Sequence, residues 1–256
     1  MKKSIIILPF LILASFFLNA QDARTIMTKA SDAISADEME MTSTLKIYDH
    51  RGNVRTRQVS NITKKFGAVT KTMIKFLSPA DVKGTGMLIF DYEKKDDDMW
   101  VYLPTLKKTR RIVSSEKSSS FMGSEFSNSD MSNPNMDDFT YSLAGTETVD
   151  GKVCYKIESE CKTSAIASVQ KFAKKITYIE KSSFLTCKVD FYDKNGKLIK
   201  TSTMENYKKQ SDGRYMAFLM TATNHKNKRK SEIIINSYQR GSNVSENYFS
   251  TSNLEK

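Results

Sequence analysis

Three cysteines, two histidines, an acid run and a serine cluster are the residues of this 256-residue chain whose types could do chemistry. Zinc would need compact ligand pairs, but Cys154, Cys161 and Cys187 lack C-x-x-C spacing, and His50 and His225 lie far apart. Neither histidine sits where it would serve as base to a thiolate, so no catalytic cysteine is expected. Ser118, Ser119 and Ser120 have no base in view. The chain contains no G-x-S-x-G elbow, no phosphate-binding glycine loop and no H-E-x-x-H motif. Asp96-Asp97-Asp98 could hold a cation, but it lacks the alternating ligand spacing of a calcium loop and follows Lys94-Lys95, so a solvated turn is expected. The expectation is a protein without catalysis, metal or cofactor.

The remaining chemistry is apolar contact and charge. The stretch SSSFMGSEFSNSD, residues 118–130, has the composition of a surface loop yet carries Phe121, Met122 and Phe126. Loops run over surfaces because buried backbone polar groups must be paired. Three large apolar side chains there suggest plugs folded over an apolar opening. Just upstream, Lys107, Lys108, Arg110 and Arg111 form a dense basic turn. Such a cluster protects an edge strand, or meets lipid headgroups or an acidic partner.

Several segments that must position these residues are apolar at consecutive positions: Met87 to Phe90, and Met99 to Leu103. A strand with one wet face alternates, so these must be covered on both faces or line a cavity on one. Thirteen methionines, twelve of them after Met1, add adaptable apolar surface. Met39 onward reads as a series of antiparallel strands with turns at His50-Arg51-Gly52-Asn53, Asp150-Gly151 and Lys194-Asn195-Gly196. The expected fold is mainly β (α+β): a curved half-barrel of about ten or eleven strands. One helix, Asp22 to Ala36, is expected before it, with Asp22 as N-cap and Ile26, Ala30, Ala33 and Ile34 on one face. In LTCKVDFYD the alternation Leu185, Cys187, Val189, Phe191 puts Cys187 on an apolar strand face, where a thiol acts as a small core residue. An odd cysteine count leaves at least one unpaired; bridges Cys154–Cys187 and Cys154–Cys161 both stay open.

Lys2 and Lys3, the apolar run Ile5 to Leu18 and the small residue Ala20 read as a secretory signal peptide, residues 1–20. The run is too short for a comfortable membrane span, though an uncleaved anchor is the competing reading. Residues 21–256 are then expected to be one exported, soluble domain. The formal charge of +11 falls to +9 without Lys2 and Lys3. Export argues against nucleic acid as the partner of that charge.

The runs FLSPADVKGTGMLIF, MWVYLPTLKKTRRI and SSSFMGSEFSNSDM, followed in order by TETVDGKVCYKIES, DFYDKNGKLIKT and VSENYFSTSNLEK, resemble the LolA-like outer-membrane lipoprotein-sorting family, in its branch with a Phe-Met-Gly-Ser-x-Phe loop. The resemblance implies a half-barrel closed by helices or loops over an apolar cavity. It also implies a monomeric periplasmic carrier of lipoprotein or phospholipid acyl chains, working between an inner-membrane transporter and an outer-membrane acceptor with transient membrane contact. On this reading the cavity and lid comprise Met73, Phe76, Ile89, Trp100, Tyr102, Leu103, Phe121, Met122, Phe126 and Met131. Lys107, Lys108, Arg110 and Arg111 would meet a headgroup or partner. An accessory or sensor domain that binds an envelope protein through the basic turn is the competing function.

Overall fold

The computed structural model describes residues 10–93 and 95–256, with side chains from Asp22 onward. The first nine residues of the predicted signal peptide lie outside the described residues. The helix α1 (Phe10–Ile34) leads into β1 (Glu38–Tyr48), β2 (Val54–Phe66), β3 (Val69–Ser78), β4 (Gly86–Tyr92), β5 (Asp98–Leu103) and β6 (Lys108–Ile112). After the connection 113–138 come β7 (Phe139–Val149), β8 (Lys152–Cys161), the short helix α2 (Ser164–Gln170), β9 (Lys174–Glu180), β10 (Thr186–Tyr192), β11 (Leu198–Lys209), β12 (Tyr215–Asn224) and β13 (Arg229–Arg240). A one-turn helix, α3 (Thr251–Leu254), ends the described chain. Among the described residues no helix is long and apolar enough to cross a membrane.

All thirteen strands join one antiparallel sheet in the order β6-β5-β4-β3-β2-β1-β13-β12-β11-β10-β9-β8-β7. The count exceeds the ten or eleven expected. The short charged segment Lys108–Ile112 and both arms of the Asp150-Gly151 hairpin each pair as full strands. Open twisted sheets curl as they pass about ten strands, and this one is curved and open. Two meanders, β1–β6 and β7–β13, meet where β1 pairs β13, which leaves β6 and β7 as the free edges. The chain between them must therefore travel from one edge to the other. It does so across one face, here called the front.

The front face carries the largest cluster of buried side chains, among them Leu45, Phe76, Ile89, Met99 and Ile233, together with Phe121 and Phe126 of the crossing segment. The back face of β2–β5 carries Met73, Leu88, Trp100 and Tyr102, covered by Phe249 and Leu254 of the C-terminal segment. The consecutive apolar positions in β4 and β5 thus have covers on both sides. Gly86 makes room for the tail: a Cβ there would stand 2.6 Å from Leu254 Cδ1.

Strand pairing keeps partners on the same face. Following the register from β13 to β7 places Phe139, Tyr141, Ile157 and Ile179 on the front as well. There α1 covers them with Ala23, Ile26 and Ala30. The helix differs from the expectation in two ways. It runs through Asp22 instead of being capped by it, and Ile34 is 42% exposed while Ala23 is fully buried. The apolar stripe therefore starts about one turn earlier than the sequence suggested, because α1 packs through its middle and leaves its C-terminal end free of the sheet.

Candidate functional site: a lid over the front face

The lid is built around the six residues Phe121 to Phe126. The Phe121 N–H donates to the Phe126 carbonyl at 2.7 Å, and the Ser124 N–H donates to the Phe121 carbonyl at 3.0 Å. The Ser124 hydroxyl also donates to the Phe121 carbonyl, at 2.7 Å, and accepts from the Phe126 N–H at 3.2 Å. This tight turn needs positive φ at Met122 (50°) and Gly123 (79°), which glycine adopts freely and methionine only under constraint. The turn drives both phenyl rings the same way, onto the sheet. Phe121 stands 5.8 Å from the Phe76 ring, centroid to centroid, and is 2% exposed.

Polar groups of the sheet hold the backbone of the turn. Arg57 of β2 donates to the Met122 carbonyl and lies over the Phe76 ring at 5.8 Å. Burial lowers the Arg57 pKa, and among the described residues no carboxylate forms an ion pair with it. The lid carbonyl is thus part of what stabilises that guanidinium. Arg229 of β13 donates to the Gly123 carbonyl at 2.8 Å and pairs with Glu125 at 3.0 Å. Asn224 donates to the other Glu125 oxygen at 2.8 Å. The Glu125 N–H donates to the Ser231 hydroxyl at 3.0 Å. Further along, Lys200 pairs with Asp130 at 3.0 Å.

Of the ten predicted cavity and lid residues, seven come together on the front: Phe76, Ile89, Leu103, Phe121, Met122, Phe126 and Met131. Met73, Trp100 and Tyr102 do not. They belong to the back-face cluster under the C-terminal tail. The reason is the period of two along a strand: Met73 is an odd step from Phe76, and Trp100 and Tyr102 alternate with Val101 and Leu103.

The basic turn is split by the same rule. Lys108 and Arg110 pair with the front-facing positions Leu103 and Val101, whereas Arg111 pairs with Trp100. Arg110 meets Glu116 at 2.7 Å and Arg111 meets Asp98. Lys107 and Lys108 are exposed at the free edge β6. Charge on an edge strand discourages further strand addition.

The acid run is only partly the solvated turn expected. Asp96 is exposed, but Asp97 is partly buried, and its carboxylate accepts from the Ser132 hydroxyl at 2.7 Å. Burial pushes its pKa up to about 6, with nearby Asp91 adding to the rise and the Ser132 bond opposing it. Asp91 itself accepts from the Asn133 backbone and side chain at 3.1 and 2.7 Å. These two carboxylates fasten the lid's return arm beside a cleft of about 200 Å³ lined by Asp96, Asp97, Arg111 and Lys117 among others.

Sequence reasoning passed over Arg57, Arg229 and Glu125. The signal for Arg57 was present, since in VRTRQVSN it shares its strand face with the apolar Val59. Nothing local marked Arg229 or Glu125. The cysteines are all free; Cys154 and Cys187 are buried on the back face, with their sulfurs 3.9 Å apart.

A family model whose description reads "uncharacterized protein" matches residues 68–256. No curated protein matches the chain. Among solved structures, a Vibrio parahaemolyticus domain assigned to outer membrane lipoprotein sorting is similar at TM-score 0.85 and 27% identity, over 93% of this chain and 100% of that one. A DUF1329 family protein from Desulfovibrio piger follows at TM-score 0.84 and 29% identity, over 92% and 99%. A LolA superfamily protein from Nitrosomonas europaea shares the fold at TM-score 0.70 and 20% identity, over 90% and 98%.

Proposed function

Since the chain belongs to the LolA-like outer-membrane lipoprotein-sorting family, we propose that it is a periplasmic carrier that shields the acyl chains of lipoproteins or lipids during transfer toward the outer membrane. One observation carries the reading. The apolar front face is covered by a segment of polar composition that contributes two phenyl rings and is pinned through its backbone by Arg57 and Arg229. A cover of that kind exchanges easily. Its rings occupy space that acyl chains would take, and its polar groups can exchange their partners on the sheet for water.

The energetics explain why a carrier is needed. Each methylene moved from lipid to water costs about 0.8 kcal/mol, so a bare 16-carbon chain costs about 12 kcal/mol. A carrier offsets most of that cost and then gives the chain up to a tighter acceptor. Methionines on or beside the front face, including Met87, Met99, Met216 and Met220, suit varied chains because they repack readily. The leader-like residues 1–20 agree with export, residues 21–256 act as one carrier domain, and an inner-membrane transporter and an outer-membrane acceptor would be its partners.

Native mass spectrometry on protein purified from a periplasm without detergent, followed by solvent extraction, tests this. The expected result is a bound acylated species. A clean unliganded mass that persists after incubation with lipid vesicles and lipopeptide contradicts it. The exposed Lys107 and Lys108 at the free edge favour a second reading, an accessory domain that docks on an envelope protein. Reversing the charges of Lys107, Lys108, Arg110 and Arg111 would abolish that docking while lipid binding stays.

A further inference from the structure

Three polar side chains on the front face are not engaged by the lid. Lys175 and Thr177 of β9 and Ser159 of β8 all point frontward, and Lys175 is paired directly with Ser159 across the two strands. Such pairs hold their Cβ atoms about 5 Å apart, so one small group can reach both. Ser159 is 0% exposed and Thr177 3%, and neither hydroxyl has a hydrogen-bond partner among the described residues. Buried hydroxyls are ordinarily satisfied, and an orphaned pair calls for an occupant.

Lys175 sharpens the case by contrast with Lys200. Both lie on the front and both cap a phenyl ring at 4.5 Å, Lys175 over Phe139 and Lys200 over Phe191. Lys200 is paired with Asp130 at 3.0 Å, whereas Lys175 forms no ion pair among the described residues. The charged and titratable groups that face Lys175 are Asp130 and Asp138 of the crossing segment, Cys161 of β8 and Lys200 of β11. Burial lowers its pKa to about 8, which leaves it protonated at neutral pH.

We propose that Lys175, Ser159 and Thr177 form a subsite for the phosphate of an acyl-bearing lipid, an inference that rests on the carrier reading. One ammonium and two hydroxyls supply donors from one surface, which suits an anion with several acceptor oxygens. The rest of the molecule has a path to follow. Val189 and Met204 continue the front face from the subsite, and Met204 pairs with Met220, which packs on the lid cluster. The headgroup sits near α1 and the chains run beneath Phe121 and Phe126.

The test compares dioleoyl-phosphatidylglycerol with uncharged dioleoylglycerol on the full chain by native mass spectrometry, in the wild type, in Lys175→Met and in Ser159→Ala/Thr177→Val. The wild type is expected to prefer the phospholipid. Lys175→Met should bind it about tenfold more weakly with dioleoylglycerol binding unchanged, and the hydroxyl variant should show a smaller loss of the same selectivity. The wild-type preference should fade as pH rises through about 8. Equal binding of the two lipids by the wild type, or a preference that survives in Lys175→Met, overturns the subsite while leaving the carrier reading standing. Binding of neither lipid overturns both. If inorganic phosphate alone binds with the same dependence on Lys175 and displaces no lipid, the site is one for free phosphate and the lipid assignment falls.

Discussion

The strands β2–β5 are covered twice, and the two covers are made differently. On the back, the tail sinks Phe249 and Leu254 into the sheet at 3% and 0% exposure, with Gly86 hollowed out beneath Leu254. Lysines of the sheet then clamp it: Lys75 donates to the Asn253 carbonyl at 2.7 Å, and Lys71 meets Glu246 at 2.7 Å while lying over Phe90 at 4.5 Å. On the front, the lid contributes its own two rings, but its backbone is satisfied largely within a six-residue turn and at two arginines. A cover held by its own turn and by polar contacts to the sheet can exchange those contacts for water and leave as a unit. One that fills a hole in the sheet cannot leave without emptying it. We read the tail as fixed structure and the lid as the moving part.

The comparison can be broken at its strongest point first. Leu254→Ala should cost about 2–4 kcal/mol of global stability by urea denaturation, as deletion of a fully buried leucine does, with lipid binding retained in the folded fraction. Gly86→Ala should destabilise through the same contact, and the two changes together should cost less than their sum, since the added methyl then meets a smaller neighbour. Phe121→Ala should behave otherwise. It should lower global stability by only about 1–2 kcal/mol, below the usual cost of deleting a buried phenylalanine, because the lid opens locally. Its clear effects should be faster amide exchange at residues 119–128 and faster loss of bound lipid. Arg57→Met should give the same signature through loss of the Met122 carbonyl contact.

A smaller effect comes from the lid's return arm. The folded pKa of Asp97, raised to about 6, exceeds its ordinary value of 3.8. The folded state therefore binds the proton more tightly, and the contribution is fully present below the ordinary value and lost as pH rises through about 6. Stability should fall over that window, and Asp97→Asn should flatten the fall. It should add about 1 kcal/mol at neutral pH after allowance for solvent screening, with the Ser132 hydrogen bond kept. Smallest of all, mild oxidation should join Cys154 to Cys187, whose sulfurs stand 3.9 Å apart, and leave Cys161 open to alkylation. Peptide mapping under non-reducing conditions reads that directly.

Much of this architecture is legible in the sequence. The hairpin at Lys194-Asn195-Gly196 identifies its strands because turn chemistry is a local property, but the alternation of LTCKVDFYD does not hold throughout: a bulge between Thr186 and Lys188 turns Cys187 to the back, away from Val189 and Phe191 on the front. The consecutive apolar residues of MLIF and MWVYL left two outcomes open, cover on both faces or a cavity on one, and the covers from the lid and the tail decide between them. What covers them was not local. The tail VSENYFSTSNLEK has no periodicity that points to the β4 surface more than 150 residues earlier, and only Gly86 hints at its landing place. The grouping of Met73, Trp100 and Tyr102 with the lid failed because proximity in sequence was allowed to outweigh strand parity. Arg57 was missed because an arginine two residues after Arg55 in a polar strand looks like solvent-facing charge until the apolar Val59 on the same face is counted. The buried hydroxyls of Ser159 and Thr177 could not be seen at all, since an orphaned donor is defined by what fails to surround it.

The measurement that tests the difference between the two covers most directly is hydrogen exchange on the full chain, with and without dioleoyl-phosphatidylglycerol vesicles. The account predicts that lipid speeds exchange of the amides at 119–128 as the lid is displaced, while those at 244–254 stay slow in both conditions. Lid amides that remain as slow as the tail's when lipid is bound would contradict it, and would make Phe121 and Phe126 ordinary core.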